Sequence, residues 1–188
     1  NFKIGRLIMA TEEKVEIVAG RRRLEGLWQA GETGKSIVIT HPHSLYGGTM
    51  HNPVVEVIQK AYHLNGYATL RFNFRGVGGS HGNFDNGLGE QDDVRAAIAY
   101  VENMNVSAVD LAGYSFGAWV NAGVAADSCT SIASMMMISP PVGFIEFENA
   151  NTLGCLKLVV TGSADDIEPA HQIRDLLPAW NPNTQFEI

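Results

Sequence analysis

Short, continuous runs of apolar residues alternate along this chain with segments whose apolar residues recur at helical spacing. That alternation restricts the fold more than any single motif. Ser36-Ile37-Val38-Ile39-Thr40 is a β-branched run of the kind buried on both faces of a sheet. Tyr67 to Phe72, Val109 to Ala112, Ile132 to Ile138 and Leu156 to Thr161 repeat the pattern, and Gln185-Phe186-Glu187-Ile188 reads as the opening of one more strand. Between them Val54, Ile58 and Ala61, then Val94, Ile98 and Val101, then Ile173, Leu176 and Leu177 mark helices, the last ended by Pro178. Upstream, Val15 to Val18 and Leu24 to Trp28 alternate apolar and polar residues around Gly20 and three arginines, which predicts an antiparallel hairpin. A hairpin followed by repeated strand-helix units predicts an α/β fold with a mostly parallel sheet and helices on both faces.

The chain has 188 residues, 45% of them hydrophobic, which suits one domain over residues 1–188 with a single buried core. Its formal net charge of −7, with no long basic run, argues against nucleic acid and anionic membranes as partners. No apolar stretch reaches the roughly 18 residues that span a bilayer. Two cysteines, Cys129 and Cys155, fall at no zinc-site spacing, and a reduced cytoplasmic setting is the simplest expectation. Met9 is a possible natural start, which would make Asn1 to Ile8 a cloning remnant; a native extension reads equally well.

Gly113-Tyr114-Ser115-Phe116-Gly117 carries the chemistry. A serine hydroxyl is a poor nucleophile unless it is held exposed beside a base and hydrogen-bond donors. A sharp strand-to-helix turn achieves this by packing the backbone tightly two residues before and two after the serine, where glycine fits. Ser115 falls between an apolar strand and a helix of small residues, the setting that such a turn requires. Other Gly-rich segments fail as motifs. Gly34-Lys35-Ser36 lacks the earlier glycine of a phosphate loop, because position 29 is Gln29, and it precedes its strand instead of following it. Gly76-Val77-Gly78-Gly79-Ser80-His81 puts His81 where a dinucleotide fingerprint has its third glycine. His41 and His43 have the spacing of a metal pair, but no neighbouring acid and histidine set completes a coordination sphere, and packing within a loop is the more ordinary role.

With three further segments, the turn carries a family resemblance. These are His41-Pro42-His43-Ser44-Leu45-Tyr46-Gly47-Gly48, Asn73-Phe74-Arg75-Gly76-Val77-Gly78-Gly79-Ser80 and Thr161-Gly162-Ser163-Ala164-Asp165-Asp166, each following a strand. From about Lys14 onward the chain resembles the α/β-hydrolase superfamily, most of all its small, lidless, dienelactone-hydrolase-like members. The resemblance implies a serine hydrolase acting on a carboxylic ester, thioester or lactone, a small-molecule acyl substrate, through a Ser-His-Asp triad and an acyl-enzyme, with no metal or organic cofactor. Ser115 is the implied nucleophile and Asp165 the implied acid. Asp166 is the alternative, or else it caps the helix near Pro169. The oxyanion hole would pair the Phe116 N–H with one N–H from His43, Ser44 or Leu45.

The same resemblance places the histidine after the last strand. His171, the only histidine beyond Asp165, falls on a helix, so the sequence is expected to stop before the residue that the triad needs. The rival reading is a noncatalytic ligand-binding or scaffold protein on the same fold. Between Ser139 and Thr152 there is no room for a cap domain, and Phe144, Ile145 and Phe147 are read either as lining an acyl pocket or as a packing anchor.

Overall fold

A computed structural model describes residues 11–128, 131–147, 152–165 and 169–188. The strands are β1 (Glu13–Ala19), β2 (Arg22–Gln29), β3 (Lys35–Thr40), β4 (Ala68–Phe72), β5 (Ala108–Tyr114), β6 (Ser134–Ile138), β7 (Leu156–Val160) and β8 (Gln185–Glu187). The α-helices are α1 (Pro53–Leu64), α2 (Leu88–Glu102), α3 (Phe116–Ser128) and α4 (Ala170–Trp180). All eight strands form one sheet in the order β1-β2-β4-β3-β5-β6-β7-β8, antiparallel from β1 through β2 to β4 and parallel from β4 to β8.

Two features at the ends of elements differ from the sequence expectation. The hairpin turn is Gly20 and Arg21 alone, with Gly20 at φ 62°; Ala19 pairs with Arg22, so Arg22 and Arg23 lie in β2, where both are exposed. Helix α4 does not stop at Pro178 but runs to Trp180. A proline there removes the N–H that would bond the Arg174 carbonyl, but it does not block the bonds of the residues after it. The Asn181 N–H still donates to Leu177 at 2.9 Å, and buried Trp180 packs on Phe147 at 4.9 Å, which holds the final turn.

The period-two alternation of β3 divides the core. Ile37 and Ile39 pack on one face of the sheet with Val55 and Ile58 of α1. Val38 points to the other face, with Leu70, Phe72 and Leu111, against apolar residues of α2 and α3; Ile173 and Leu177 of α4 belong to the same cluster. Helices therefore cover both faces, as expected of a sheet whose central strands are apolar on both sides.

This topology decides where chemistry can occur. The chain moves from β3 outward to β4 and then crosses back to β5, on the other side of β3. Loops leaving β3 and β5 consequently diverge and leave a crevice at the carboxyl ends of the parallel strands. The loops after β6 and β7 emerge at the same edge.

Candidate active site

Ser115 sits in the turn between β5 and α3 with φ 52°, a left-handed conformation rarely adopted by a residue with a side chain. Its flanking glycines show why the turn is possible. A Cβ at Gly113 would stand 2.5 Å from the Ala118 nitrogen, and one at Gly117 would stand 2.7 Å from the His41 carbonyl oxygen and 2.6 Å from Thr40 Oγ1. The Ser115 N–H donates to the Ile138 carbonyl at 2.8 Å, tying the turn to the end of β6. Ser139, one strand along, repeats the device: φ is 42° and its N–H donates to Val160 at 2.8 Å.

Phe116 opens α3, and its N–H belongs to the first helical turn, where amides have no intrahelical acceptor. The loop after β3 approaches it. The rings of His43 and Phe116 lie 4.8 Å apart, and His43 also packs on Tyr46 at 4.7 Å and Phe84 at 4.9 Å. Within this loop Leu45 N–H donates to His43 Nδ1 at 3.2 Å, while Tyr46 and Gly48 N–H both donate to the His43 carbonyl. Ser44 Oγ is buried without a hydrogen-bond partner among the described residues.

The two histidines of the loop differ in what they face. His41 is fully buried, donates from Nδ1 to the Pro42 carbonyl at 2.7 Å and accepts the Phe74 N–H at Nε2 at 3.0 Å. Both ring nitrogens are thereby engaged, Nδ1 within the loop after β3 and Nε2 joining it to the loop after β4, and burial pushes the pKa down to about 4. His43 reaches the cleft. Partial burial lowers its pKa against the opposing pull of Glu90, and its Nδ1, accepting from Leu45, leaves Nε2 as the protonated position.

Ser115, His43 and Phe116 come together in the wall of one cleft of about 510 Å³, with Pro42, Tyr46, Pro141, Phe144 and Ile145. Ser44, Leu45 and Asp165 are not among its lining residues. Asp165 stands at the same edge of the sheet, in the turn after β7, with its N–H directed to the Gly162 carbonyl at 3.3 Å. Asp166, its rival, and Cys129 lie outside the described residues. His171 is exposed in the first turn of α4 and does not line the cleft. Phe147 does not line this cleft but faces a second groove with Trp180 and Leu176, which Ile145 borders from its other side. The Tyr46 and Pro141 walls went unrecognised as such in the sequence; the Pro140-Pro141 pair directly after a strand was the available signal for the latter.

No group of three or more His, Cys, Asp or Glu residues is placed to hold a metal among the described residues. Among these residues no helix is long and apolar enough to cross a membrane.

Known proteins place this architecture. The family profile of X-Pro dipeptidyl-peptidase (S15 family) matches residues 19–180. A Rickettsia prowazekii protein of uncharacterised function is 36% identical over 162 residues, which cover 82% of this chain and 68% of that protein. An α/β serine hydrolase homologue from Coxiella burnetii superposes with a TM-score of 0.88 at 35% identity, covering 95% of this chain and 87% of the other. A lid-free α/β serine hydrolase from Xanthomonas campestris gives a TM-score of 0.84 at 31% identity, over 95% and 84% of the respective chains. The chain belongs to the X-Pro dipeptidyl-peptidase (S15) family and is a hydrolase of the α/β type.

Proposed function

We propose that the protein hydrolyses a carboxylic ester, thioester or lactone through an acyl-enzyme formed on Ser115. The observation that carries this reading is the left-handed Ser115 at the β5–α3 junction, held by Gly113, Gly117 and the bond to Ile138, and opening onto a cleft with apolar walls. Backbone strain of this kind persists where the surrounding structure fixes it, and it concentrates at functional sites.

In the proposed reaction a base removes the Ser115 proton as Oγ attacks the carbonyl carbon. Negative charge then develops on the carbonyl oxygen, where the N–H of Phe116 and that of His43 receive it, each worth about 2.7 to 4 kcal/mol in related sites. Within the loop after β3, Leu45 N–H is already engaged by His43 Nδ1. The His43 N–H is the choice favoured over Leu45 for that reason. Collapse of the tetrahedral intermediate expels the alcohol or thiol, which takes the proton from the base, and water releases the acid by the same steps in reverse order. The base in this reading is a histidine following β8 in the full-length protein. Asp165, at the end of the neighbouring β7, orients that imidazole and stabilises its cationic form. No step requires a metal or organic cofactor, and the substrate is the only partner involved.

The family's name also raises a peptidase reading. Release of an X-Pro dipeptide requires recognition of a protonated amino terminus, for which a carboxylate near the serine is the natural partner. The described residues lining the cleft include no carboxylate, and this favours the ester reading.

A fluorophosphonate probe tests the proposal. Full-length protein should be labelled at Ser115, with no labelling of Ser115→Ala. Labelling that survives the substitution would overturn the assignment, and a folded full-length protein that takes no label would favour the noncatalytic scaffold.

A further inference from the structure

We propose that the cleft selects an uncharged, apolar acyl group, and that Tyr46 and Phe144 are the specificity-determining walls which hold it. This rests on the esterase reading above.

Both aromatic side chains are left in water, Tyr46 87% and Phe144 74% exposed. Single exposed apolar residues are ordinary on a protein surface, but these two are not independent. Tyr46 stands on the loop after β3 and Phe144 on the loop after β6, flanking the β5 turn that carries Ser115, and both line the same cleft.

The backbone that carries each is fixed before any ligand arrives, and for Tyr46 the ring is held as well. The Tyr46 ring lies against His43 at 4.7 Å, and its N–H donates to the His43 carbonyl at 3.1 Å. Phe144 and Ile145 N–H both donate to Pro141, and Trp119 Nε1 fixes the end of that turn by donating to the Glu146 carbonyl at 3.0 Å. Walls carried on backbone fixed in advance lose less freedom on binding.

The chemistry of the lining sets the ligand class. Besides Ser115, its polar groups are the imidazole of His43 and the phenol of Tyr46; the rest are proline, phenylalanine and isoleucine. A carboxylate on the acyl chain would lose hydration there with no lysine or arginine among the described lining residues. The formal net charge of −7 also opposes its approach. An ammonium group would likewise find no carboxylate among the described lining residues.

The test uses the full-length protein with p-nitrophenyl acetate, butyrate, hexanoate and the p-nitrophenyl monoester of glutarate. Between acetate and hexanoate, kcat/KM should rise about fourfold per methylene until the cleft is full. The glutarate monoester should be poorer than hexanoate by about a hundredfold or more. Tyr46→Ala and Phe144→Ala should each lower the hexanoate-to-acetate ratio of kcat/KM about tenfold, through KM. Phe144→Lys should raise turnover of the glutarate ester about tenfold relative to hexanoate. If acetate is hydrolysed but the glutarate ester matches hexanoate, or the alanine variants leave the ratio unchanged, the inference is overturned while the esterase reading stands. Cleavage of a glycyl-prolyl anilide at rates matching hexanoate would also overturn it. Failure to turn over any ester would overturn both.

Discussion

Gly117 lies directly under the end of β3, so close to His41 that a side chain at position 117 would place its Cβ 2.7 Å from the His41 carbonyl oxygen. The contact joins the turn carrying Ser115 to the loop that supplies His43 and Tyr46. Distance between the nucleophile and the proposed second N–H donor therefore depends on there being no side chain at this point.

Gly117→Ala should consequently injure both stability and activity. Backbone atoms cannot rotate away as a flexible side chain would, so overpacking should cost about 1 to 3 kcal/mol. Urea denaturation should show this loss, and ester turnover by the fraction still folded should fall by about tenfold or more as the loop moves. Unchanged turnover would mean that the two loops are not coupled through this contact.

His41 gives a pH dependence with a definite sign. Its folded pKa of about 4 lies below the ordinary value of 6.5, so the unfolded chain binds the proton more readily. Stability from this group is intact above pH 6.5 and declines as pH falls toward 4. Between pH 7 and pH 5 the loss should be about 2 kcal/mol. Urea unfolding of wild type and His41→Gln at both pH values isolates the effect, since wild type should lose that much more than the variant. An equal pH dependence would contradict burial of a neutral imidazole.

Arg75 and Asp93 anchor the long connection between β4 and α2. Asp93 is fully buried, accepts the Arg75 backbone N–H at 3.0 Å and bonds its guanidinium at 2.7 Å, while Asp85 approaches the same guanidinium at 3.6 Å. Asp93→Ala leaves a buried arginine without its main partner and should cost about 3 to 5 kcal/mol. Thermal unfolding checks this, and a drop below about 1 kcal/mol would show that the arginine relaxes to solvent.

The strands and helices were legible in the chain because both periodicities are strong and each element buries an apolar face. Ile37 and Ile39 against Val38 is the plainest instance. The turn at Ser115 was legible because only glycine satisfies its two close approaches. Local rules failed where tertiary contacts decide: Pro178 ends no helix because Trp180 is held by packing on Phe147, and Arg22 continues a strand because its side chain reaches solvent. The cleft walls were hidden for a different reason. Tyr46 and Phe144 lie on loops far apart in the chain, and only the strand order brings them to one edge. Phe147, close to Phe144 in sequence, faces another groove.

Asp165 is the proposed acid because of its place after β7. In the full-length protein Asp165→Asn should lower ester turnover by about two to four orders of magnitude while circular dichroism stays unchanged, because the imidazole loses its orientation and the charge that stabilises its cation. Asp166→Asn should cost much less. The reverse ranking would transfer the role to Asp166.

The proposed reaction requires a covalent acyl bond at Ser115 Oγ. Mixing full-length protein with p-nitrophenyl butyrate, quenching in acid within the first turnover and measuring intact mass should reveal a population heavier by one butyryl group, with peptide mapping locating the group on Ser115. Ser115→Ala, folded by circular dichroism, should carry no such adduct. Turnover with an adduct on another residue, or an adduct that persists in Ser115→Ala, would contradict the assignment of Ser115 as the nucleophile.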